Sequence, residues 1–286
     1  MRILITIPHY FVPAGDRAHG SLGGDPRVRV AALSQCLRAL YLTAPASQEM
    51  WFREHDHLTP LSISQASDTI IDVVICTSGD DHLLDQLTAP YHAFHHVPTD
   101  AAPSLLGFEC HAVLRAHLGQ YDLYGYLEDD LLIHDQAFWS KLAWFQTLAG
   151  DGCVLQPNRY EVVIGERTLN KVYIDFEFAS YAEISARTAT IVTGQVLGLP
   201  VVFHRTSNPH AGCFILTERQ LALWANQPYF LDRDTRFVGP LESAATLGLA
   251  RTFQVYKPAP NHASFLEIEH FAQSWSRRLP RVRLPI

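Results

Sequence analysis

The sequence predicts an α/β fold with a mixed, mostly parallel sheet flanked by helices. Strand-like and helix-like patterns alternate through the first half of the chain, as expected when a crossover helix follows each strand. Of the 286 residues, 48% are hydrophobic and 18% are charged, which supports a full core and excludes a disordered chain. We therefore expect one compact domain, with breaks near Gly150 and Asn208.

The first half begins with a predicted strand, RILITI, and a long loop. Asp25 then has the position of an N-cap and Pro26 that of the first helical residue, so a helix is expected through about Leu40. Ser104 is expected to cap a later helix that ends near Leu118. The other predicted elements are strands at 69–77, 91–97 and 121–127, and a helix from the cap Asp135 to Gly150.

The second half is less regular. Strands are predicted at 152–156, 211–216 and 251–256. Thr217 begins a T-E-R-Q capping box, and Pro240 is expected to open a short helix. The stretch from about 162 to 208 has no clear pattern.

Composition also limits the class of partner and the cellular location. A net charge of −7 argues against nucleic acid, because phosphate binding needs a basic face. No apolar run approaches the ~20 residues of a membrane span, and MRILITIP is too short for a signal peptide. Five cysteines without a C-x-x-C pair indicate reduced core thiols, so we expect a cytoplasmic protein. The basic stretch 277–286 is either a solvated tail or a peripheral contact with an anionic membrane.

The most informative stretch is YDLYGYLEDDLLIHD, where an apolar strand ends in Glu128, Asp129 and Asp130. Ligands of open α/β sheets bind beyond the carboxyl ends of the strands. Clustered carboxylates are destabilising unless a cation neutralises them, and oxygen ligands suit Mg²⁺ or Mn²⁺. Side chains alternate along extended backbone, so Glu128 and Asp130 are expected to point together and Asp129 away. A solvated acidic turn is the alternative, although apolar residues flank the triplet.

The segment YLEDDLLI resembles the D-x-D region of GT-A fold glycosyltransferases, in an E-D-D variant. Further segments resemble that family in the same order, over about residues 1–270. They are RILITIPHY (first strand and nucleotide-facing loop), VVICTSGDD (second strand), GFECHAVLRAHLGQYD (the helix before D-x-D), PHAGCFILTERQL (acceptor side), GPLESAATLGL (the helix that carries the base) and KPAPNHASF (a loop with a metal-binding histidine).

The resemblance implies a role for particular residues. Asp130 would be the main ligand of a Mn²⁺ or Mg²⁺ ion, Glu128 would contact the ion or the ribose, and Asp129 would support them. His262 would complete the metal site, with His270 as the alternative. The remaining implied nucleotide-sugar contacts are Pro8, Tyr10, Asp80 and Arg115.

Two departures from the family pattern affect these assignments. The first loop is long and lacks a short P-x-Y-N pattern, and Asp81 competes with Asp80 for one role.

Glu242 is the candidate catalytic base on independent grounds. It is expected in the first turn of a helix, where the helix dipole and free amides favour an ionised carboxylate. A base must be ionised at the working pH. Acidic residues also occur in first turns for stability alone. Sugar contacts from Asn158, Arg159 and Glu161, or from Arg205 and His210, are further possibilities.

Together these features predict a metal-dependent glycosyltransferase that moves a sugar from a nucleotide-diphosphate sugar to a glycan or small-molecule hydroxyl, with inversion if Glu242 is the base and a retaining route if it is not. Residues 1–150 would bind the nucleotide sugar, and residues 151–286 the acceptor and, through a C-terminal loop, the metal. One alternative is a nucleotidyltransferase, since the loop PAGDRAHGSLGGDPR carries glycines and arginines. Another is a non-catalytic carbohydrate-binding or scaffold protein. The oligomeric state is left open.

Overall fold

The computed structural model of the chain describes residues 1–14, 22–45, 48–62, 69–88, 93–165, 168–178, 191–272 and 275–278. The strands are β1 (Arg2–Pro8), β2 (Glu49–Glu54), β3 (His57–Ser62), β4 (Ile70–Ser78), β5 (His95–Thr99), β6 (Leu123–Leu127), β7 (Leu131–Leu132), β8 (Cys153–Leu155), β9 (Asn158–Ile164), β10 (Leu169–Tyr173), β11 (Ile191–Val196), β12 (Leu199–Arg205), β13 (Cys213–Thr217), β14 (Gln254–Pro258) and β15 (Glu267–His270). The α-helices are α1 (Pro26–Leu42), α2 (Leu106–Ala116), α3 (Phe138–Ala149), α4 (Glu218–Ala225) and α5 (Pro240–Thr252).

The central sheet has the strand order β13-β6-β1-β4-β5. β1 pairs in parallel with β4 and β6, and β5 pairs in parallel with β4. β13 pairs antiparallel with β6 and is the edge strand next to it. The predicted mixed, mostly parallel sheet flanked by helices is thus confirmed.

Both faces of the central sheet are covered at β1, β4, β6 and β13, which explains why these strands are almost continuously apolar, whereas the edge strand β5 is largely exposed. On one face Ile3 and Ile5 of β1 pack in a buried cluster with Leu37 of α1. On the other face Leu4 and Tyr124 pack in a second cluster that includes residues of α2, α4 and α5. Alternate side chains along the strands therefore point to opposite faces of the sheet and pack in different halves of the core.

Two smaller sheets lie beside the central one, with orders β10-β9-β15-β7 and β11-β12-β14-β8. Short β7 directly follows the acidic triplet and pairs antiparallel with β15, so that His270 lies opposite Leu131. β15 also pairs in parallel with β9. These pairings bring the C-terminal part of the chain to the carboxyl end of β6.

Most of the helix boundaries follow the expected local chemistry. The Asp25 side chain accepts the N–H of Arg27 at 2.9 Å and Pro26 opens α1, as predicted. Thr217 forms the predicted capping box of α4, Pro240 opens α5, and Gly150 ends α3 with a φ of 79°.

Two predicted caps are wrong. Ser104 does not cap α2, because Pro103–Leu105 form a 3₁₀ turn and the helix begins at Leu106 without a side-chain cap. Asp135 does not cap α3. Its carboxylate accepts the N–H of Ala137 at 2.9 Å in the turn before that helix.

All five cysteines are free, and four of them are buried, as the prediction of reduced core thiols requires. Among the described residues, no helix has the length and apolar content that a membrane crossing needs. The basic C-terminal residues 279–286 and the loop residues 15–21 lie outside the described residues.

Gly107 allows α2 and α5 to approach closely, because a Cβ there would lie 2.5 Å from Cβ of Ala244. We expect Gly107→Ala to lower the free energy of unfolding by about 1–2 kcal/mol, since overpacking outweighs the gain in helix propensity. Gly152→Ala is the matched control, because a Cβ at Gly152 meets no atom within 4 Å. Chemical denaturation of both variants tests this, and a Gly107→Ala variant as stable as the control would contradict the packing account.

Candidate functional site

The acidic triplet forms a tight turn at the carboxyl end of buried strand β6. The N–H of Glu128 donates to the carbonyl of Gly212 at 3.0 Å, which extends the pairing with β13. The N–H of Leu131 then donates to the carbonyl of Glu128 at 3.2 Å and closes the turn. The three carboxyl groups therefore lie at the edge of the sheet where ligands of α/β proteins bind.

Asp129 is the buried member of the triplet, with 5% of its surface exposed. Nη2 of Arg29 lies 2.5 Å from both of its carboxylate oxygens, and Nδ1 of His9 lies 2.6 Å from Oδ2. His9 Nε2 accepts the N–H of Leu83 at 3.2 Å, so Nδ1 carries the ring proton and donates it to Asp129.

The charge of Asp129 is consequently well compensated. Burial by itself would raise the pKa of Asp129, but Arg29 and His9 outweigh burial and lower it. Arg29 comes from the first turns of α1, and His9 directly follows β1. Asp129 thus joins three elements, and its carboxylate is not available to a ligand.

The carboxylate of Asp130, in contrast, is only partly satisfied by its neighbours. Its Oδ2 lies 3.6 Å from Nη1 of Arg29 and 3.7 Å from Nε2 of His270, distances of charge attraction rather than of hydrogen bonds. Its Oδ1 is buried and has no hydrogen-bond partner among the described residues. Because an unpaired buried carboxylate oxygen is costly, this atom is a candidate ligand contact.

His270 is held by Glu161, a fully buried residue of β9. Nδ1 of His270 lies 2.9 Å from the Glu161 carboxylate, which also accepts the N–H groups of Trp275 at 3.0 Å and Ser276 at 2.7 Å. Burial would raise the pKa of Glu161, but the hydrogen bonds from His270 and Ser276 lower it to about 2. An ionised Glu161 therefore fixes the ring so that Nε2 is directed toward Asp130.

His270 also responds to these two carboxylates electrostatically. Burial would lower the pKa of His270, but Asp130 and the hydrogen bond with Glu161 outweigh it and raise the pKa. A histidine oriented through one nitrogen by a carboxylate is the usual arrangement of a metal-binding histidine.

Glu128 is half-buried beside Gly212, where a Cβ would lie 2.7 Å from its Oε2. Gly212 also has a φ of 63°, so both its conformation and its lack of a side chain are required there. Burial, and then the charges of Asp130 and Glu242, raise the pKa of Glu128 to about 8, against the opposing effect of Arg159. Glu128 therefore holds a proton at neutral pH in the metal-free chain.

Glu242 lies in the first turn of α5, partly exposed, behind the glycine cap Gly239. A Cβ at Gly239 would lie 2.5 Å from Oε2 of Glu242, so this glycine leaves room for the carboxylate. The charge of Glu242 acts on Glu128 and on Tyr126. The structure thus brings the proposed base into the electrostatic surroundings of Glu128.

A buried ion-pair network lies near Glu128. Nη2 of Arg159 lies 2.7 Å from Asp175, and Nζ of Lys257 lies 2.9 Å from the same carboxylate. Lys257 also donates to the carbonyl of His210 at 2.6 Å. Arg159 provides the positive charge that opposes the pKa shift of Glu128. Asp175 was missed because it lies in the stretch without a clear sequence pattern.

The predicted nucleotide contacts cluster at the carboxyl ends of β1 and β4. Pro8 ends β1, and Tyr10 follows it, half-buried. Burial and the charge of Asp81 raise the pKa of Tyr10, which places Asp81 near this loop. Asp80 is exposed in the same turn, after Gly79 with a φ of 53°.

Two predicted site residues, Arg115 and His262, form no hydrogen bond or ion pair with the acidic triplet among the described residues. Arg115 is at the last turn of α2, its guanidinium 5.4 Å from the ring centre of Phe230. Because α2 leads into the start of β6, Arg115 lies at the edge of the sheet opposite Glu128. His262 is on the 3₁₀ turn Pro260–Phe265, where its N–H donates to the Ala259 carbonyl at 2.7 Å.

Nε2 of His270, the alternative to His262 in the sequence analysis, lies 3.7 Å from Oδ2 of Asp130.

Asp130 and His270 are the candidate ligands for a divalent ion at this site. Among the described residues, no group of three or more His, Cys, Asp and Glu side chains is arranged to hold a metal. Mg²⁺ is commonly held by one or two carboxylates together with substrate phosphates, and Asp130 offers an oxygen without a partner. A cation held here would therefore need further ligands, such as the phosphate oxygens of a bound substrate.

Comparisons with known proteins give the fold little further context. No protein-family model and no curated protein sequence matches the chain. A solved structure of CMP:2-keto-3-deoxy-manno-octonic acid synthetase complexed with CTP is 14% identical, with a TM-score of 0.39 over 90% of each chain. Mannose-1-phosphate geranyltransferase from Thermus thermophilus is 13% identical, with a TM-score of 0.36 over 90% of this chain and 73% of that one. Similarity this low does not decide an activity.

The raised pKa of Glu128 predicts a pH-dependent stability in the metal-free chain. Between its ordinary pKa of 4.5 and about 8, folded Glu128 keeps a proton that the unfolded chain has lost. Its contribution to stability therefore falls as pH rises through that range, by at most about 1.4 kcal/mol per pH unit, and levels off above it. Glu128→Gln removes this titration. Denaturation with a chelator present should show the variant gaining on the wild type as pH rises, and a constant difference would contradict the assignment.

Proposed function

We propose that the chain is a glycosyltransferase that moves a sugar from a nucleotide-diphosphate sugar to an acceptor hydroxyl. The observation that carries the proposal is the convergence of carboxyl groups with different surroundings at one edge of the sheet. Asp129 is neutralised by Arg29 and His9, Asp130 keeps a buried oxygen without a described partner, and Glu242 approaches from another helix. This arrangement supplies one carboxylate for a cation and another for a proton.

The donor would lie across the carboxyl ends of β1, β4 and β6. Its nucleoside would rest near Pro8, Tyr10 and Asp80, and its diphosphate near Asp130. Mn²⁺ or Mg²⁺, held by Asp130 with His270, would offset the charge that develops on the leaving diphosphate. The carboxylate of Asp130 would repel a diphosphate, so a diphosphate needs such a counter-charge in order to bind beside it.

The acceptor would be activated by Glu242. Its carboxylate takes the proton of the acceptor hydroxyl while the oxygen forms a bond to the anomeric carbon and the carbon–oxygen bond to the diphosphate breaks. A direct displacement of this kind inverts the anomeric configuration. Glu128, which holds a proton at neutral pH in the metal-free chain, is less suited to accept another.

A nucleotidyltransferase is the second candidate, favoured by the two arginines at the start of α1. In that reaction a substrate oxygen would attack the α-phosphorus of a nucleoside triphosphate and release pyrophosphate. Arg29 lies directly against the acidic turn. However, Arg29 is bound to Asp129, and Arg27 is bound to Asp25 at 2.7 Å, so both already have anionic partners. The nucleotidyltransferase reaction also leaves Glu242 without a role.

The reaction products distinguish these candidates. The chain would be incubated with Mn²⁺ and a panel of nucleotide sugars with simple glycoside acceptors, and separately with nucleoside triphosphates and sugar phosphates. We expect nucleoside diphosphate and a new glycoside in the first set, and no pyrophosphate in the second. Pyrophosphate release would establish the nucleotidyltransferase instead, and donor binding without turnover would indicate a non-catalytic binding protein.

Glu242→Gln separates catalysis from binding. We expect kcat to fall by about 10²–10⁴-fold, the usual contribution of a general base, while the donor Kd stays within about twofold. Glu218→Gln, in the first turn of α4, is a matched control outside the proposed site. Steady-state kinetics and calorimetric donor titration give the two quantities. Retained kcat in Glu242→Gln would remove this residue from the mechanism.

The Mn²⁺-dependent binding affinity for the donor tests the metal ligands. We expect Asp130→Asn and His270→Ala each to weaken it by about tenfold or more, because each removes a ligand atom or its charge. His262→Ala should leave it unchanged and serves as the histidine control. Weakening by His262→Ala alone would instead identify His262 as the ligand.

A further inference from the structure

Strands β2 and β3 form a hairpin that pairs with no other strand among the described residues. Its large apolar side chains are 47–63% exposed, namely Met50, Trp51, Phe52, Leu58 and Leu61. A two-stranded hairpin is only marginally stable in water, and clustered exposed apolar side chains mark interaction surfaces. The hairpin is therefore a candidate interface.

The pairing register shows which edge of the hairpin can bond to another strand. Trp51 lies opposite Pro60. Proline has no N–H, so these two residues form a non-hydrogen-bonded pair and their backbone polar groups point away from the hairpin. Because such pairs alternate, Glu49, Trp51 and Arg53 direct their N–H and C=O groups to the outer edge of β2.

The two edges differ in their capacity to bind a strand. The outer edge of β3 has Pro60 at its middle and lacks a donor there, which is a common protection of edge strands. The outer edge of β2 contains no proline and has a complete set of donors and acceptors. An added strand would therefore bind to β2.

We propose that the chain forms a homodimer through antiparallel pairing of β2 with β2 of a second copy, about a two-fold axis at Trp51. This register uses all three outward-facing residues. It places Glu49 opposite the partner's Arg53, twice by symmetry, and Met50 opposite the partner's Phe52. The complementary charges and apolar pairs favour a second copy over other occupants, and the contact is isologous, as in most dimers.

The position of the hairpin leaves the carboxylate site accessible. The hairpin connects the end of α1 with the start of β4, whereas the acidic turn lies at the carboxyl ends of the parallel strands. The side chain of Arg53 is 75% exposed. Its Nε donates to the carbonyl of His55 at 3.1 Å, and its nearest described carboxylate partner, Asp56, is 4.0 Å away, so its charge is not neutralised by a close ion pair. Substitutions in β2 can therefore test the interface without altering the site.

Charge reversal tests the proposed register. In sedimentation velocity the wild type should show a concentration-dependent monomer–dimer equilibrium. Arg53→Glu and Glu49→Arg should each weaken dimerisation by about tenfold or more, because like charges then face each other twice. An equimolar mixture of the two variants should form a 1:1 heterodimer, since each then carries one charge sign on its β2 edge and the signs are opposite.

Trp51→Pro tests the backbone pairing itself. It removes an N–H that points away from β3, so the variant should fold, as judged by circular dichroism and thermal unfolding, and remain monomeric. A wild type that stays monomeric at all concentrations, or a mixture of charge variants that does not associate, would overturn the proposal. A monomeric wild type that binds anionic phospholipid vesicles through this hairpin would overturn it in favour of a membrane surface.

Discussion

The buried contact of Asp129 with Arg29 and His9 organises the functional edge of this protein. It connects the end of β1, the first turns of α1 and the turn after β6. Removing one partner of a buried ion pair is strongly destabilising, because it leaves an uncompensated charge in the interior. With Asp129 paired to Arg29 and His9, Asp130 is the member of the triplet that keeps a carboxylate oxygen without a hydrogen-bond partner among the described residues.

Carboxyl groups at this edge are held in different protonation states by their surroundings. Asp175 and Glu161 are ionised by cations and hydrogen bonds, respectively, whereas burial beside Asp130 and Glu242 keeps Glu128 protonated at neutral pH. In the proposed reaction Glu128 is therefore neither the cation ligand nor the base, because a protonated carboxyl group is poorly suited to either role. If all these carboxyl groups were equally exposed to solvent, their pKa values would not differ in this way.

The sequence predicted several features that local chemistry decides, although the caps Ser104 and Asp135 were wrong. The cap of α1, the capping box of α4 and the acidic end of β6 depend on residues a few positions apart. The partners of the triplet depend instead on contacts across a hundred residues, as between Arg29 and Asp129, or on the pairing of β15 with β7. No periodicity reports such contacts, and the β2–β3 hairpin was missed because its strands face solvent on both sides.

A crystal structure of the chain with Mn²⁺ and a nucleoside diphosphate tests the division of the triplet most directly. We expect anomalous scattering from an ion bound to Asp130 and to the diphosphate, with Asp129 still bound to Arg29 and His9. An ion coordinated by Asp129, or a nucleotide bound away from the carboxyl ends of β1, β4 and β6, would contradict this expectation.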